Sequence, residues 1–146
     1  MGRIGKTVAK KASCLGMNIL YHNRKSIVNT GKVKYVSLNE LFKKSDVVSV
    51  HIPYSKNTHH MINSALLRKM KKTSFLINTS RGKIVNQKDL LKILQLKKIQ
   101  GAALDVFEDE PIGKSNDLVK LKNVVLVPHI GTVSYTHLTL PTKRIV

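Results

Sequence analysis

Five short apolar runs punctuate the chain, each set against a stretch of helical period. They are 17–21 (MNILY), 46–52 (DVVSVHI), 74–78 (SFLIN), 101–106 (GAALDV) and 123–127 (NVVLV). Their apolar residues run almost without interruption instead of alternating. That is the signature of strands covered on both faces, which parallel sheets require. Between the runs, Ile4, Val8, Ala12 and Leu15 share one face of a helix expected to end near Gly16. Ser37 and Glu40 form a capping box that opens a short helix through Leu41 and Phe42. Asn63 is placed to cap a helix over 65–70. Asn86 with Asp89 is placed to cap another that carries Leu90, Leu91, Ile93, Leu94 and Leu96. Strand–helix–strand repetition implies right-handed crossovers, and hence an α/β fold with a doubly wound parallel sheet. Segment 112–117 is the expected connecting loop, and 146 residues suffice for one domain.

Composition removes several alternatives. One cysteine, Cys14, excludes an intramolecular disulfide framework and a cysteine-based zinc site, and no metal site is expected. No apolar run approaches the ~18 residues of a membrane span, and the N-terminus carries no apolar signal region. The expected compartment is therefore the cytoplasm, with no membrane partner. The formal charge of +18 would suit a polyanion. Its lysines, however, are scattered over helical positions such as Lys69, Lys71, Lys72, Lys92, Lys97 and Lys98. No arginine cluster is present, and aromatics make up only 5% of the chain. Nucleic acid is not the expected partner.

The chain opens on Gly2-Arg3-Ile4-Gly5 and runs directly into helical period. This is the second part of G-x-G-x-x-G, in which glycines admit a pyrophosphate to a helix N-terminus. The first glycine of the motif and the strand before it do not occur in the sequence. In the strand order 3-2-1-4-5-6 that strand is central, so its neighbours are expected to lack a partner between them. The expectation is an incomplete sheet, first strand missing, with Met1 an internal methionine of a longer chain or the start of a truncated gene. About 20 residues on, a dinucleotide domain reads the adenosine ribose, with an acid in the case of NAD. Here the sequence is Tyr21-His22-Asn23-Arg24-Lys25, with no acid. Arg24 and Lys25 suit a 2′-phosphate, which favours NADP(H) over NAD(H).

Ligands of open parallel sheets bind outside the carboxyl ends of the strands. Three ionisable residues fall there: Arg81 after SFLIN, Glu110 after GAALDV, and His129 after NVVLV. Arginine can hold a carboxylate bidentately, and histidine can pass a proton near neutral pH. A carboxylate beside that histidine orients its ring and favours its charged form. Taken singly, a loop arginine, a lone histidine and an acid before proline are more often surface or structural. Together they suit acid–base chemistry on a substrate that bears a carboxylate.

The stretches VSVHIPYSKNTHHMIN, LINTSRGKIVNQKDLLKIL, GAALDVFEDEP and LKNVVLVPHIG, in that order, resemble the D-2-hydroxyacid dehydrogenase family. Within it they are most similar to the glyoxylate/hydroxypyruvate reductase branch. The resemblance spans about 2–131. It implies a Rossmann-like cofactor domain and hydride transfer between NAD(P)H and a small 2-oxo acid such as glyoxylate or hydroxypyruvate. Carried over residue by residue, Arg81 would bind the substrate carboxylate and polarise the carbonyl. His129 would be the general acid, paired with Glu110. Gly2, Arg3, Ile4 and Gly5 would line the pyrophosphate, and Asn23, Arg24 and Lys25 would surround the adenosine ribose. Thr79, Ser80, Asp105, His129 and Gly131 would lie along the nicotinamide side, with His51, Pro53 and Thr58 in the same crevice. His59 and His60 match no catalytic position and are expected at the surface.

Two departures qualify the resemblance. Family members are about twice as long, and their substrate domain, built from segments on both sides of this one, has no counterpart here. The polypeptide 1–146 is therefore expected to show little or no reductase activity by itself, because the other wall of the cleft is absent. Residues 134–146 (SYTHLTLPTKRIV) have no helical period and fit no part of the family; after a domain spanning 1–133 they read as a natural variant terminus or, the favoured expectation, a foreign or frame-shifted tail. The resemblance also implies a homodimer in the full-length protein. A nicotinamide-sensing, corepressor-like module of the same fold is the non-catalytic alternative.

Overall fold

Every strand pairs parallel to its neighbours, as the continuous apolar runs require. The structure, a computed structural model, describes residues 1–24 and 33–131. In chain order the elements are α1 (Arg3–Cys14), β1 (Ile19–Tyr21), β2 (Val33–Tyr35), α2 (Leu38–Lys44), β3 (Val47–Val50), α3 (Ser64–Leu67), β4 (Phe75–Asn78), α4 (Gln87–Gln95), β5 (Gly101–Leu104) and β6 (Val124–Leu126). Short 3-10 turns lie at Lys56–Thr58, Gly82–Ile84 and Asp117–Lys120.

The strands form two separate sheets, β1-β2 and β3-β4-β5-β6. β1 and β3 are thus not paired to each other, which is where the expected incomplete Rossmann-like sheet lacks its central strand. In the larger sheet the register runs Val48 to Leu76 to Ala102 to Val124. A core of Phe42, Leu67, Leu76, Ile84, Leu90, Leu94 and Ile99 closes over it, each essentially inaccessible to water. Each such side chain contributes about 1.5–3 kcal/mol relative to exposure.

The caps form as the sequence specifies. Glu40 N–H donates to Ser37 Oγ (3.2 Å), Ala65 N–H to Asn63 Oδ1 (3.1 Å) and Asp89 N–H to Asn86 Oδ1 (3.0 Å). Asp89 also accepts the Ser64 N–H at 2.8 Å, which joins the starts of α3 and α4.

Three features differ from expectation. β2 has no counterpart among the apolar runs, since Val33-Lys34-Tyr35 is too short and too mixed to stand out. α3 ends at Leu67, before the expected 70. In α1 the buried residues are Gly5 and Ala9, while Ile4, Val8 and Leu15 remain exposed. At Gly5 the small-residue side of α1 faces His51, just after β3. Both the proposed tail, 134–146, and Lys25 lie outside the described residues.

Candidate active site

Parallel pairing brings the carboxyl ends of β3 to β6 to one edge of the sheet. The ladder continues just past the strands: Asp105 N–H donates to Asn78 O (3.0 Å) and Val127 N–H to Leu104 O (2.9 Å). Asn78 is fully buried. Its Oδ1 accepts the Ser80 N–H (3.1 Å) and its Nδ2 donates to Arg81 O (3.0 Å). This local Asx bonding turns the chain off the end of β4 and projects Arg81 from the edge. Ser80 Oγ donates to Ile52 O, which ties the same turn to the segment after β3. Arg81 is exposed, as is Thr79, and the Arg81 Nη1 donates to Ser80 O at 2.7 Å. Among the described residues its guanidinium forms no ion pair with a carboxylate, so its fork remains available to an anion.

Gly82 makes the turn possible in another way. A Cβ there would lie 1.8 Å from Phe107 O and 2.6 Å from Glu108 N. The backbone after Arg81 therefore touches the backbone leading to Glu110, an approach open only to glycine.

Glu110 Oε2 and His129 Nδ1 lie 2.8 Å apart, and Glu110 Oε1 accepts the Phe107 N–H at 2.9 Å. Burial pushes the Glu110 carboxyl up. The hydrogen bonds from His129 and Phe107, with the positive charges of His129 and Arg81, outweigh it and leave the group below its ordinary value. Arg81, Glu110 and His129 thus belong to one electrostatic neighbourhood.

His129 has a left-handed backbone (φ 53°), uncommon outside glycine. Buried Asp105 holds it there. Its two oxygens accept the N–H groups of Ile130 (2.9 Å) and Gly131 (3.0 Å). A Cβ on Gly131 would sit 2.7 Å from Asp105 Oδ2, so a side chain there would displace the carboxylate that holds the loop.

The residues expected to line a cofactor lie at the start of α1 and after the ends of β1 and β3. Gly2 is the extended N-cap of α1, with no side-chain cap and no acid in the first turn. The first N–H groups of the helix thus have no side-chain cap, and Gly5 is buried. Gly5 faces His51 (3.6 Å from an added Cβ to its Cβ), so α1 begins beside the end of β3. His51 pairs with Ser49 Oγ at 2.9 Å, and burial lowers its pKa and favours the neutral ring. Thr58 Oγ1 donates to Pro53 O (3.0 Å) and accepts the Ser55 N–H (2.7 Å), closing the loop after β3. Asn23 and Arg24 follow β1. The Asn23 carbonyl accepts the Tyr35 hydroxyl at 3.3 Å, and Arg24 is exposed.

Sequence reasoning missed Asn78, Gly82 and the contacts of His60. His59 is exposed as expected, but His60 is half-buried, with Nε2 2.9 Å from Glu108 Oε1. Among the described residues there is no cluster of three or more metal-ligating side chains, and no helix is long and apolar enough to cross a membrane.

Residues 1–131 match the D-isomer specific 2-hydroxyacid dehydrogenase, NAD binding domain. The chain belongs to this family. A glyoxylate reductase of Korarchaeum cryptofilum is 49% identical over 138 residues, covering 92% of this chain and 42% of the relative. The crystal structure of a glyoxylate reductase from Paecilomyes thermophila superposes with a TM-score of 0.84 at 38% identity, over 92% of this chain and 42% of that one. An NADPH-dependent glyoxylate/hydroxypyruvate reductase from Sinorhizobium meliloti, solved with NADP and malonate, gives 0.85 at 33% identity, over 90% and 41%. This member of the family therefore spans about two fifths of the length of the relatives it matches.

Proposed function

We propose that this chain is the cofactor-binding half of a nicotinamide-dependent reductase of small 2-oxo acids such as glyoxylate or hydroxypyruvate. The observation that carries this is the convergence of Arg81, Glu110 and His129. One carboxylate accepts from the histidine at 2.8 Å and feels the arginine charge, at the sheet edge where such ligands bind. Arg81 forks onto the substrate carboxylate and draws electron density from the adjacent carbonyl. Glu110 holds the His129 ring through Nδ1, leaving Nε2 to donate the proton to the carbonyl oxygen. Asp105 fixes the loop from which His129 acts. The uncapped N-terminus of α1 and the close approach at Gly5 fit a dinucleotide pyrophosphate, which Gly2, Arg3, Ile4 and Gly5 would hold. Bound nicotinamide would supply the hydride. Arg24 at the ribose position favours NADP(H) over NAD(H), with Lys25 and Asn23 beside it. Thr79 and Ser80 line the nicotinamide side, and His51, Pro53 and Thr58 line the neighbouring wall.

Calorimetric titration of the chain with NADPH and NADH tests this. NADPH is expected to bind more tightly, and Arg24→Ala to weaken NADPH tenfold or more while leaving NADH nearly unchanged, since hydrogen bonds to charged groups contribute about 1.5–3 kcal/mol. Equal loss for both cofactors would remove the NADP(H) assignment. Glyoxylate should then bind the NADPH-saturated chain and lose affinity in Arg81→Lys. Dinucleotide binding with no response to glyoxylate would favour the non-catalytic sensor.

A further inference from the structure

We infer that His60 is a positioning residue, tying the turn after Arg81 to the loop that carries Glu110. The claim rests on the functional assignment of those two residues made above. Three sets of contacts converge on His60.

The first is backbone. Residues 60–62 run beside the turn after Arg81: His60 N–H donates to Lys83 O (2.9 Å), Ile62 N–H to Ile84 O (3.1 Å), and Asn86 N–H to Ile62 O (2.9 Å). His60 itself takes a left-handed conformation (φ 49°).

The second is the ring. Its Nε2 is buried and lies 2.9 Å from Glu108 Oε1, at an angle outside regular hydrogen bonding, with no other acceptor among the described residues. The contact is thus a close approach of the ring nitrogen to the carboxylate and not an aligned bond. The ring is held in place from its other face. His59 stacks on it at 3.9 Å and 20°, and the Tyr54 hydroxyl lies 3.3 Å from His59 Nδ1.

The third is the loop beyond. Glu108 Oε1 also accepts the Gln87 N–H (2.7 Å), and Glu108 N–H reaches Gln87 Oε1 (3.3 Å). One residue back, Phe107 N–H donates to Glu110 Oε1, and Phe107 O rests against Gly82. Glu108 therefore sits within the short span that presents Glu110 to His129. His60 bonds one side of the site through its backbone and sets its ring nitrogen against a carboxylate on the other. A histidine serving only the core would have no reason to direct a buried nitrogen at a carboxylate already engaged by a backbone N–H.

The test reads Glu110 directly and does not depend on turnover. The Glu110 side-chain carboxyl is followed by carbon NMR across an acid titration of the whole chain, in wild type, His60→Leu, His60→Gln and Glu108→Gln. His60→Leu and Glu108→Gln should loosen the Phe107 and His129 bonds and raise the Glu110 midpoint by about half a pH unit, roughly threefold in proton affinity. His60→Gln presents an amide donor at similar reach and should keep the wild-type midpoint. The inference is overturned if His60→Leu folds with a native spectrum and Glu110 titrates as in wild type. Should His60→Leu fail to fold, an unchanged midpoint in Glu108→Gln overturns it equally. Binding of NADPH and glyoxylate, measured separately, decides the functional assignment, so failure of one claim is distinguishable from failure of the other.

Discussion

Gly82→Ala concentrates the account of the site into one methyl group. The added Cβ would lie 1.8 Å from Phe107 O and 1.9 Å from Phe107 C, against the 3.4 Å at which ordinary contact begins. Both atoms are backbone, so no side chain can swing aside, and one loop must retreat by on the order of 1.5 Å. Overpacking of this kind costs typically 1–3 kcal/mol and occasionally more. Rigid backbone on both sides places Gly82→Ala near 3 kcal/mol, a large share of the ~5–15 kcal/mol that holds a domain together. With a urea slope of about 2 kcal/mol/M, the unfolding midpoint followed by far-UV circular dichroism should fall by roughly 1.5 M. Gly113→Ala is the control, since its Cβ would meet only Ser115 Oγ at 3.7 Å. It should stay within about 0.5 kcal/mol of wild type. The same retreat separates Arg81 from Glu110, and a misplacement of about 1 Å can cost about 10²-fold in a catalytic step. A Gly82→Ala midpoint equal to that of Gly113→Ala would refute the close approach and the joined loops drawn from it.

Further outcomes follow from other contacts. Asp105→Asn replaces one acceptor with a donor facing a loop N–H, so Ile130 and Gly131 amides should exchange faster with solvent and stability should fall by about 1–3 kcal/mol. The depressed pKa of His51 means that the unfolded chain binds its proton first as pH falls. Its contribution is fully present above the unfolded value of about 6.5 and declines as pH drops toward the folded one, and His51→Gln should flatten that part of a urea-midpoint-against-pH curve. The Glu110 carboxyl, held low, contributes stability above its ordinary value that is lost as pH falls through its folded one. Glu110→Gln should therefore narrow its gap to wild type in acid. Leu67→Ala, at a position with no solvent exposure, should cost about 2–5 kcal/mol by calorimetry.

Much of this was legible in the residues because local rules and tertiary structure agree. Continuous apolar runs such as SFLIN became central strands, and Ser37, Asn63 and Asn86 capped the helices they preceded. Arg81, Glu110 and His129 were legible because strand ends of a parallel sheet share one edge, whatever lies between them in sequence. What escaped depends on contacts with no period. Gly82 reads as an ordinary loop glycine until Phe107 is seen against it. Asn78 reads as the polar end of a strand until its side chain is found shaping the next turn. His60 reads as surface because nothing in THHMIN announces Glu108, 48 residues on in sequence. β2 was missed because three residues with a lysine at the centre form no apolar run. The spacing of Ile4, Val8 and Leu15 puts them on one helix face but does not say whether that face is covered; these three are exposed, and Gly5 and Ala9 are buried.

The most direct test of the central claim is an amide-resolved NMR titration of the chain with glyoxylate in the presence of saturating NADPH. NADPH should first move the amides of Gly2 to Gly5. Glyoxylate should then move Arg81, His129, Ile130 and Gly131, and little else. Movement confined to other surfaces, or none at those four residues with the cofactor bound, would contradict the assignment of this sheet edge as the 2-oxo acid site.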